Sequence, residues 1–439
     1  MARRIITAID VGSAKVTTVI AAVEEGEKRP IVIGVYTHPS VGIKRGVIVN
    51  IEEATNSISE SVIAAERMAG VTVSDVYVTI NGEQISSINN KGVVAVAAGN
   101  EITIDDTMRA IENAKTLTLP QNVNPIHIIP REFVVDSQRG IKYPIGMTGM
   151  RLEVETHIIT APMSSWQNLV KCIQQIGLTV NDIVFAGWAS SLAVLTDTEK
   201  DLGVAMMDIG AGTTCITIFQ EGAIVYSGSI PLGGLSVTSD IAIGLQISLE
   251  DAEKIKVNMD KLLDDKLPTR VDTDDRTPAL LKKSEQSDKE KKKDNSEVDV
   301  RALNITGKET ISKTMLTNIV EARLEEIFDM AKNNVKKAGF DLAMPAGVVI
   351  TGGSSMLRGI TKVAQGLFGV PCRVGHPSGL SGMIEEIASP AYAAVQGLVK
   401  HAMDDDIELS GQSKKGQNIF GNAGGVFGKI GAWFKSLLP

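Results

Sequence analysis

Cysteine is scarce in this chain. Cys172, Cys215 and Cys372 are the three in 439 residues, far apart and in apolar surroundings. That excludes a disulfide framework or a thiolate metal centre and reads as buried free thiols. Apolar runs of about 18 residues are missing, so no segment is expected to cross a bilayer. A leader is also missing: Met1-Ala2-Arg3-Arg4 runs straight into an apolar strand, so no signal peptide is expected and the body is expected in the cytoplasm. Cations are outnumbered, 44 Lys and Arg against 52 Asp and Glu for a net charge of −8, which argues against broad nucleic-acid binding. What remains is an ordinary globular composition, long enough for two to four domains.

One motif is written twice, about 200 residues apart. Ile6-Thr7-Ala8-Ile9-Asp10-Val11-Gly12-Ser13-Ala14-Lys15 runs from an apolar stretch into an acidic, glycine-containing turn. Val204-Ala205-Met206-Met207-Asp208-Ile209-Gly210-Ala211-Gly212-Thr213-Thr214 does the same. An alternating apolar run follows each, Val16 to Ala22 and Cys215 to Phe219, so each unit reads as strand, tight turn, strand. A single Asp-x-Gly turn is equally an ordinary hairpin. Two in matching contexts, with a third strand-to-turn unit at Val348 to Ser355, form a constellation. Such hairpins can face one another across a cleft and grip a nucleotide triphosphate. Gly12, Ser13, Ala14, Lys15, Gly210, Ala211, Gly212, Thr213 and Thr214 would supply backbone and side-chain donors to its phosphates. Asp10 and Asp208 could sit beside a triphosphate only with a cation between, which implies Mg²⁺ held through water. Gly352 and Gly353 would leave space for the adenine face to stack on backbone, and Gly234, after Pro231-Leu232-Gly233, and Ser354 are further candidates for cofactor binding. Glu253 and Lys256 lie three apart on one helix face; they either reach ribose and base or form an exposed ion pair.

Between these motifs the chain reads as strands and a helix (about Glu52 to Ala69) up to residue 84, then a separate small α+β unit at 85–163. Helices are expected at Ser164 to Ile176, Ala189 to Thr196, Leu249 to Val257 and Ile311 to Lys337. A mixed-charge run, Lys282 to Glu297, is a solvated insertion or a nucleic-acid or lipid patch. Residues 402–424 read as a flexible linker. Beyond them Val426, Phe427, Ile430, Trp433, Phe434, Leu437 and Leu438 recur at helical spacing over an arc of about 140°, with Lys429 and Lys435 on the other face. A helix of ~13 residues is ~20 Å long, too short to span a bilayer but suited to lie on an anionic membrane surface. Docking on the body, or in a partner's groove, is the alternative.

With these pieces placed, the chain resembles the FtsA family of bacterial cell-division proteins, within the actin-like ATPase superfamily. The resemblance rests on Asp10 to Lys15, Phe185-Ala186-Gly187-Trp188-Ala189-Ser190-Ser191, Asp208 to Thr214, Thr238-Ser239-Asp240-Ile241-Ala242, Asp251 to Lys256 and Leu342 to Gly353, together with the tail. It implies an α/β, actin-like two-lobed ATPase fold with an inserted small α+β (1C) domain and a C-terminal amphipathic helix. Lobe 1A is expected at 1–84, 164–197 and about 365–401, 1C at 85–163, 2A at 198–240 and about 325–364, and 2B at 241–324. The resemblance further implies ATP and Mg²⁺ as ligands and self-assembly into filaments at the division septum on the cytoplasmic side of the membrane. It implies recruitment of the C-terminal tail of FtsZ to the 2B helix Asn318 to Asp329, through Arg323 and Glu326, and other divisome partners at 1C. Glu253 and Lys256 fall on the family's adenosine-contact helix. One departure bears on chemistry. Relatives that hydrolyse ATP well often carry Glu-Pro where this chain has Ala186-Gly187, so ATP is expected to be bound but turned over slowly or not at all. A pilus-assembly protein of the PilM kind and a metabolite kinase on the same fold are the competing readings.

Overall fold

The structure is a computed structural model that describes residues 4–24, 29–97, 101–116, 120, 122–263 and 297–409. The charged run 282–296 and the proposed membrane helix 425–439 lie outside the described residues. In chain order, the first lobe opens with β1 (Arg4–Val11), β2 (Lys15–Val23), β3 (Ile31–Pro39), the small hairpin β4 (Ile43–Lys44) and β5 (Val47–Ile48), α1 (Ile51–Ala69) and β6 (Asp75–Ile80). An inserted unit follows, β7 (Ser86–Ala95), α2 (Ile104–Lys115), β8 (Val123–Val135), β9 (Gln138–Ile141) and β10 (Arg151–Pro162). The chain returns through α3 (Met163–Gln175), β11 (Thr179–Phe185), α4 (Ala186–Val194) and α5 (Asp197–Leu202). The second lobe holds β12 (Val204–Ile209), β13 (Thr214–Gln220), β14 (Ala223–Ile230), α6 (Gly234–Leu245), α7 (Leu249–Val257) and α8 (Met259–Leu263). It continues with β15 (Glu297–Asp299), β16 (Thr310–Ser312), α9 (Lys313–Lys337), β17 (Val348–Thr351), α10 (Ile360–Phe368) and β18 (Cys372–Val374). β19 (Ser381–Gly382) and α11 (Ala393–Leu409) close the first lobe.

The two main sheets share one topology. Strands β3-β2-β1-β6-β11 in the first lobe and β14-β13-β12-β17-β18 in the second run in the same order, with β19 added at the first sheet's edge. In each, an antiparallel three-stranded meander passes to parallel strands beside its first member. The central strands are apolar on both faces because helices cover both, so Ile9, Val19, Ile20, Met206, Met207 and Ile216 are fully buried. Helix α1 shows how local sequence sets an element. Asn50 caps its first turn by accepting from the N–H groups of Glu52 and Glu53. Ala54, Ile58, Val62 and Ala65 form its buried stripe, and Gly70 at φ 67° ends it.

The inserted unit is a four-stranded sheet, β7-β10-β8-β9, with α2 on one face and a core of its own around Ile111, Phe133, Leu152 and Val154. It also touches the second lobe. Asn89 Nδ2 donates to the Val225 carbonyl at 2.9 Å and the Ser227 N–H donates to Ser87 Oγ at 2.9 Å. Buried His157 bridges the same contact, Nδ1 to Asn89 Oδ1 at 2.7 Å and Nε2 to Ser227 Oγ at 2.9 Å. Burial, with Arg131 nearby, pulls the His157 pKa down to about 3, so the ring is neutral.

Four expected borders differ from the structure. β18 pairs in parallel with β17, so residues 372–374 belong to the second sheet rather than to lobe 1A, which the chain re-enters at β19. Borders at 240 and 324 fall inside the continuous helices α6 and α9. Both helices pack into one core with the second sheet, through Val237, Ile241, Leu324 and Phe328. The expected linker starts too early, since α11 runs on to Leu409. No helix among the described residues is long and apolar enough to cross a membrane.

Candidate functional site

The two acidic turns face each other where the lobes meet. In the first, Gly12 N–H donates to the Lys15 carbonyl at 3.1 Å, closing the turn after Asp10. A Cβ at Gly212, at the tip of the second turn, would lie 2.7 Å from Ser13 Oγ, so glycine is what lets the turns approach. Ser13 Oγ accepts from Gly46 N–H at 2.8 Å and keeps its own proton for another acceptor. Lys15 stands over the ring of Tyr392, Nζ 3.8 Å from its centroid.

The second turn rests on the start of α6. Gly210 N–H donates to the Thr213 carbonyl at 2.9 Å, while the Gly210 and Ala211 carbonyls accept from Gly234 and Leu235 N–H at 2.9 and 2.8 Å. Ser354 Oγ also donates to Gly210 O at 3.0 Å. The two threonines then separate. Thr214 Oγ1 donates to the Leu232 carbonyl at 2.8 Å, so its proton is committed inside the lobe. Thr213 Oγ1 accepts from Asn81 Nδ2 at 2.8 Å, a bond between the lobes that leaves the Thr213 proton available.

Two carboxylates lie behind these turns. Thr79 Oγ1 donates to Asp10 Oδ1 at 2.7 Å and accepts from Val11 N–H at 3.0 Å. Ser190 Oγ on α4 donates to Asp208 Oδ2. Each carboxylate keeps a window onto the cleft, yet surrounding protein withdraws most of its water. Burial raises the Asp10 pKa and pushes Asp208 up to about 6, with the charge of Asp10 adding to the latter. Such a pair favours a cation in front of it. Among the described residues no group of three or more His, Cys, Asp or Glu could hold a metal directly. The pair could hold a hydrated Mg²⁺, whose remaining ligands would come from water and a bound anion.

The residues expected on the nucleoside side converge as well. A Cβ on Gly352, at φ 85°, would collide with Asp208 Oδ1, and one on Gly234 with Ser354 Oγ. Gly353 is looser, its virtual Cβ 3.7 Å from Ala391. Glu253 and Lys256 form the intrahelical ion pair at 2.7 Å, and both bond to the first turns of α6. Lys256 Nζ donates to Gly234 O at 3.1 Å and to Thr238 Oγ1 at 2.8 Å, and Thr238 Oγ1 donates to Glu253 Oε2 at 2.5 Å. The ion-pair reading is thus the arrangement observed, with Lys256 largely buried rather than exposed. Ala186 and Gly187 begin α4, where a Cβ on Gly187 would press on the Phe185 ring and lie 2.9 Å from Cys215 Cβ; this helix start carries no carboxylate.

Arg323 and Glu326 lie on the α6–α9 face. Arg323 pairs with Glu326 and, through Nη2 at 2.8 Å, with Asp240 on α6. Apolar Leu235, Ile243 and Met315 are exposed on the same two helices, Ile243 at 77%. Sequence reasoning missed Thr79, Asn81, Ser190, Tyr392 and Asp240 as partners of the site. A signal existed for Asn81: Asn81-Gly82 follows β6 as Gly352-Gly353 follows β17, and the two strands occupy the same place in their sheets.

Comparison with known proteins agrees with this architecture. A model of the cell division protein FtsA matches residues 205–397, and a model of the SHS2 domain inserted in FtsA matches 82–160, the inserted sheet. The cell division protein FtsA of Borreliella burgdorferi is 35% identical, covering 94% of this chain and 95% of its own. That of Pseudomonas aeruginosa is 33% identical (94% and 93%), and that of Escherichia coli 28% (99% and 98%). Among solved structures, a PilM–PilN type IV pilus biogenesis complex matches with a TM-score of 0.59 at 14% identity over 91% of this chain and 98% of that one. MreB 5 of Spiroplasma citri bound to AMPPNP matches with 0.50 at 14% over 93% and 99%. The pilus protein's likeness is one of fold alone, the actin-like fold. The sequence likeness runs to cell-division proteins, and the chain belongs to the FtsA family.

Proposed function

We propose that this actin-like cell-division protein binds ATP with Mg²⁺ between its lobes and assembles with copies of itself on the inner face of the membrane, tethering FtsZ there. The observation that carries nucleotide binding is the meeting of two glycine turns, each backed by a half-buried aspartate of raised pKa. Gly12, Ser13, Lys15, Gly210, Gly212 and Thr213 would hold the phosphates, with Asp10 and Asp208 facing the ion. Gly234, Glu253, Lys256, Gly352 and Ser354 would hold the nucleoside. The ion would neutralise phosphate charge. The protein's own part is to orient donors and keep the lobes together, so bound nucleotide favours one lobe arrangement. Without a carboxylate at Ala186 or Gly187 to orient water, turnover is slow, and ATP serves as an assembly ligand.

The Arg323–Glu326–Asp240 cluster beside exposed apolar Ile243 and Met315 suits a short peptide with mixed charged and apolar side chains, which supports an FtsZ tail at that face. The amphipathic pattern of 426–438 supports the membrane anchor. Co-sedimentation with anionic liposomes, with and without ATP–Mg²⁺, tests the whole reading when the full chain is compared with one ending at Gly424. Pelleting that needs the tail and increases with ATP is expected. Pelleting that ignores ATP refutes nucleotide-driven assembly, and pelleting that ignores the tail refutes the anchor. Steady-state hydrolysis near 1 s⁻¹ or faster, on the order of an ordinary kinase's turnover, refutes the slow-turnover proposal.

A further inference from the structure

The hairpin β4–β5 carries a residue that its own backbone disfavours. Its two-residue turn is Arg45-Gly46, with φ of 48° and 74°. That is the left-handed pair of a tight hairpin turn, for which Asn-Gly or Gly-Gly are the favoured residues and a long side chain is strained at the first position. Strain of this kind persists where surrounding structure holds it, commonly at functional sites.

What holds it here is the candidate site. Gly46 N–H donates to Ser13 Oγ, and a Cβ on Gly46 would meet Gly82 N at 2.9 Å and Asn81 Cβ at 3.0 Å. A Cβ on Gly212 would lie 3.1 Å from Arg45 Cα. The hairpin tip is therefore wedged against both acidic turns and the Asn81 bridge between the lobes. Arg45 is exposed, and among the described residues its guanidinium makes no ion pair or hydrogen bond. Of the site's other cations, Lys15 already faces Tyr392 and Lys256 is paired with Glu253. A triphosphate entering beside Asp10 and Asp208 brings more negative charge than one lysine and a divalent ion offset.

We infer that Arg45 is a nucleotide-binding residue whose guanidinium contacts the terminal phosphate of a nucleoside triphosphate and so makes the site prefer triphosphate over diphosphate. Its planar fork matches phosphate oxygens as a lysine does not. This rests on the nucleotide reading above.

Calorimetric titration of the full chain with ATP–Mg²⁺ and with ADP–Mg²⁺ tests it, using wild type, Arg45→Ala, Arg45→Lys and Arg45→Gly. Loss of a charge-assisted contact corresponds to about tenfold or more in affinity. Arg45→Ala and Arg45→Gly are expected to lose that factor for ATP while ADP affinity changes by less than about twofold. Arg45→Lys should recover part of the loss. Arg45→Gly also relieves the backbone strain, so its nucleotide-free melting temperature should equal or exceed that of wild type. A residue kept for structure would instead lower it. Unchanged ATP affinity, or ATP and ADP affinities falling in parallel, overturns the inference and leaves the nucleotide site standing. Wild-type chain that binds neither nucleotide removes the site itself.

Discussion

The two strand–turn–strand units answer the same task with different support. Each places an aspartate at the end of a sheet's central strand. Asp10 is steadied from within its own lobe, by Thr79 on the neighbouring strand β6. Asp208 is steadied from across the cleft, by Ser190 on α4, a helix of the first lobe. The turns after the parallel strands differ too. In the second lobe it is Gly352-Gly353, which crowds Asp208. In the first it is Asn81-Gly82, which reaches over to Thr213 and then leads into the inserted unit. Asn81 Oδ1 accepts from Gly82 N–H at 2.8 Å, and from Cys215 Sγ and Ser229 Oγ of the second lobe. One duplicated topology has thus been used asymmetrically, with the second lobe's machinery held in place by the first.

The largest effect should come from breaking the second turn alone. In Gly352→Ala the new Cβ meets Asp208 at a φ of 85°, and a loss on the order of 3 kcal/mol is expected from strain plus overpacking. Gly353→Ala has room and should stay within about 1 kcal/mol of wild type. Chemical denaturation of the two variants checks this, and equal losses would deny that Gly352 is the pinch point.

The carboxylates offer a second test. Asp208 rises from 3.8 to about 6 on folding, so its contribution is fully present below pH 3.8 and is lost as pH rises through 6. Asp208→Asn should therefore stabilise the nucleotide- and Mg²⁺-free protein at pH 7 by about 2 kcal/mol, allowing for screening by cleft water. The gain should vanish near pH 4. Melting curves of wild type and variant across pH 4–8 read this directly, and a gain independent of pH would contradict it. Asp10→Asn should move in the same direction.

His157 gives the opposite sign at the contact between the inserted unit and β14. Its pKa falls from 6.5 to about 3 on folding, so stability is full above 6.5 and declines as pH falls from 6.5 towards 3. Going from pH 7 to pH 5 should cost about 2 kcal/mol. His157→Gln should flatten that slope in the same melting series. An unchanged slope would show that the ring does not control the contact.

The smallest expected effect sharpens the cross-lobe link. Asn81→Ala removes the bond to Thr213 and an acceptor for three donors, a loss of about 1–2 kcal/mol. Combined with Thr213→Val the losses should be less than additive, because both remove one shared bond. Full additivity would mean that the bond contributes nothing.

Much of this arrangement was legible along the chain. Periodicity marked α1, α7 and the two hairpins because each buries one face and carries its own caps or turn residues, all within a few positions. The repeated Asp-x-Gly turn marked the candidate site because what such a turn can offer a phosphate is local: glycine for approach, a hydroxyl for donation, an acid at the strand end. Thr79, Ser190 and Tyr392 were not legible. Each lies far in sequence from the residue it serves, and nothing in its neighbourhood distinguishes it from an ordinary core or surface position. The borders near 240, 324 and 365 failed for a related reason. Those borders follow from the family resemblance and not from local sequence; hydrogen bonding carries α6 and α9 straight through, and β18 joins the second sheet by a pairing that its three residues do not advertise.

The sequence by itself determined the elements, the two turns and family membership, since those depend on residue type and short spacing. Only the tertiary structure decided which threonine keeps a free proton, which lobe holds Asp208, and that Arg45 stands strained between both turns. Those outcomes depend on distances between segments that the chain brings together only when its sheets are packed.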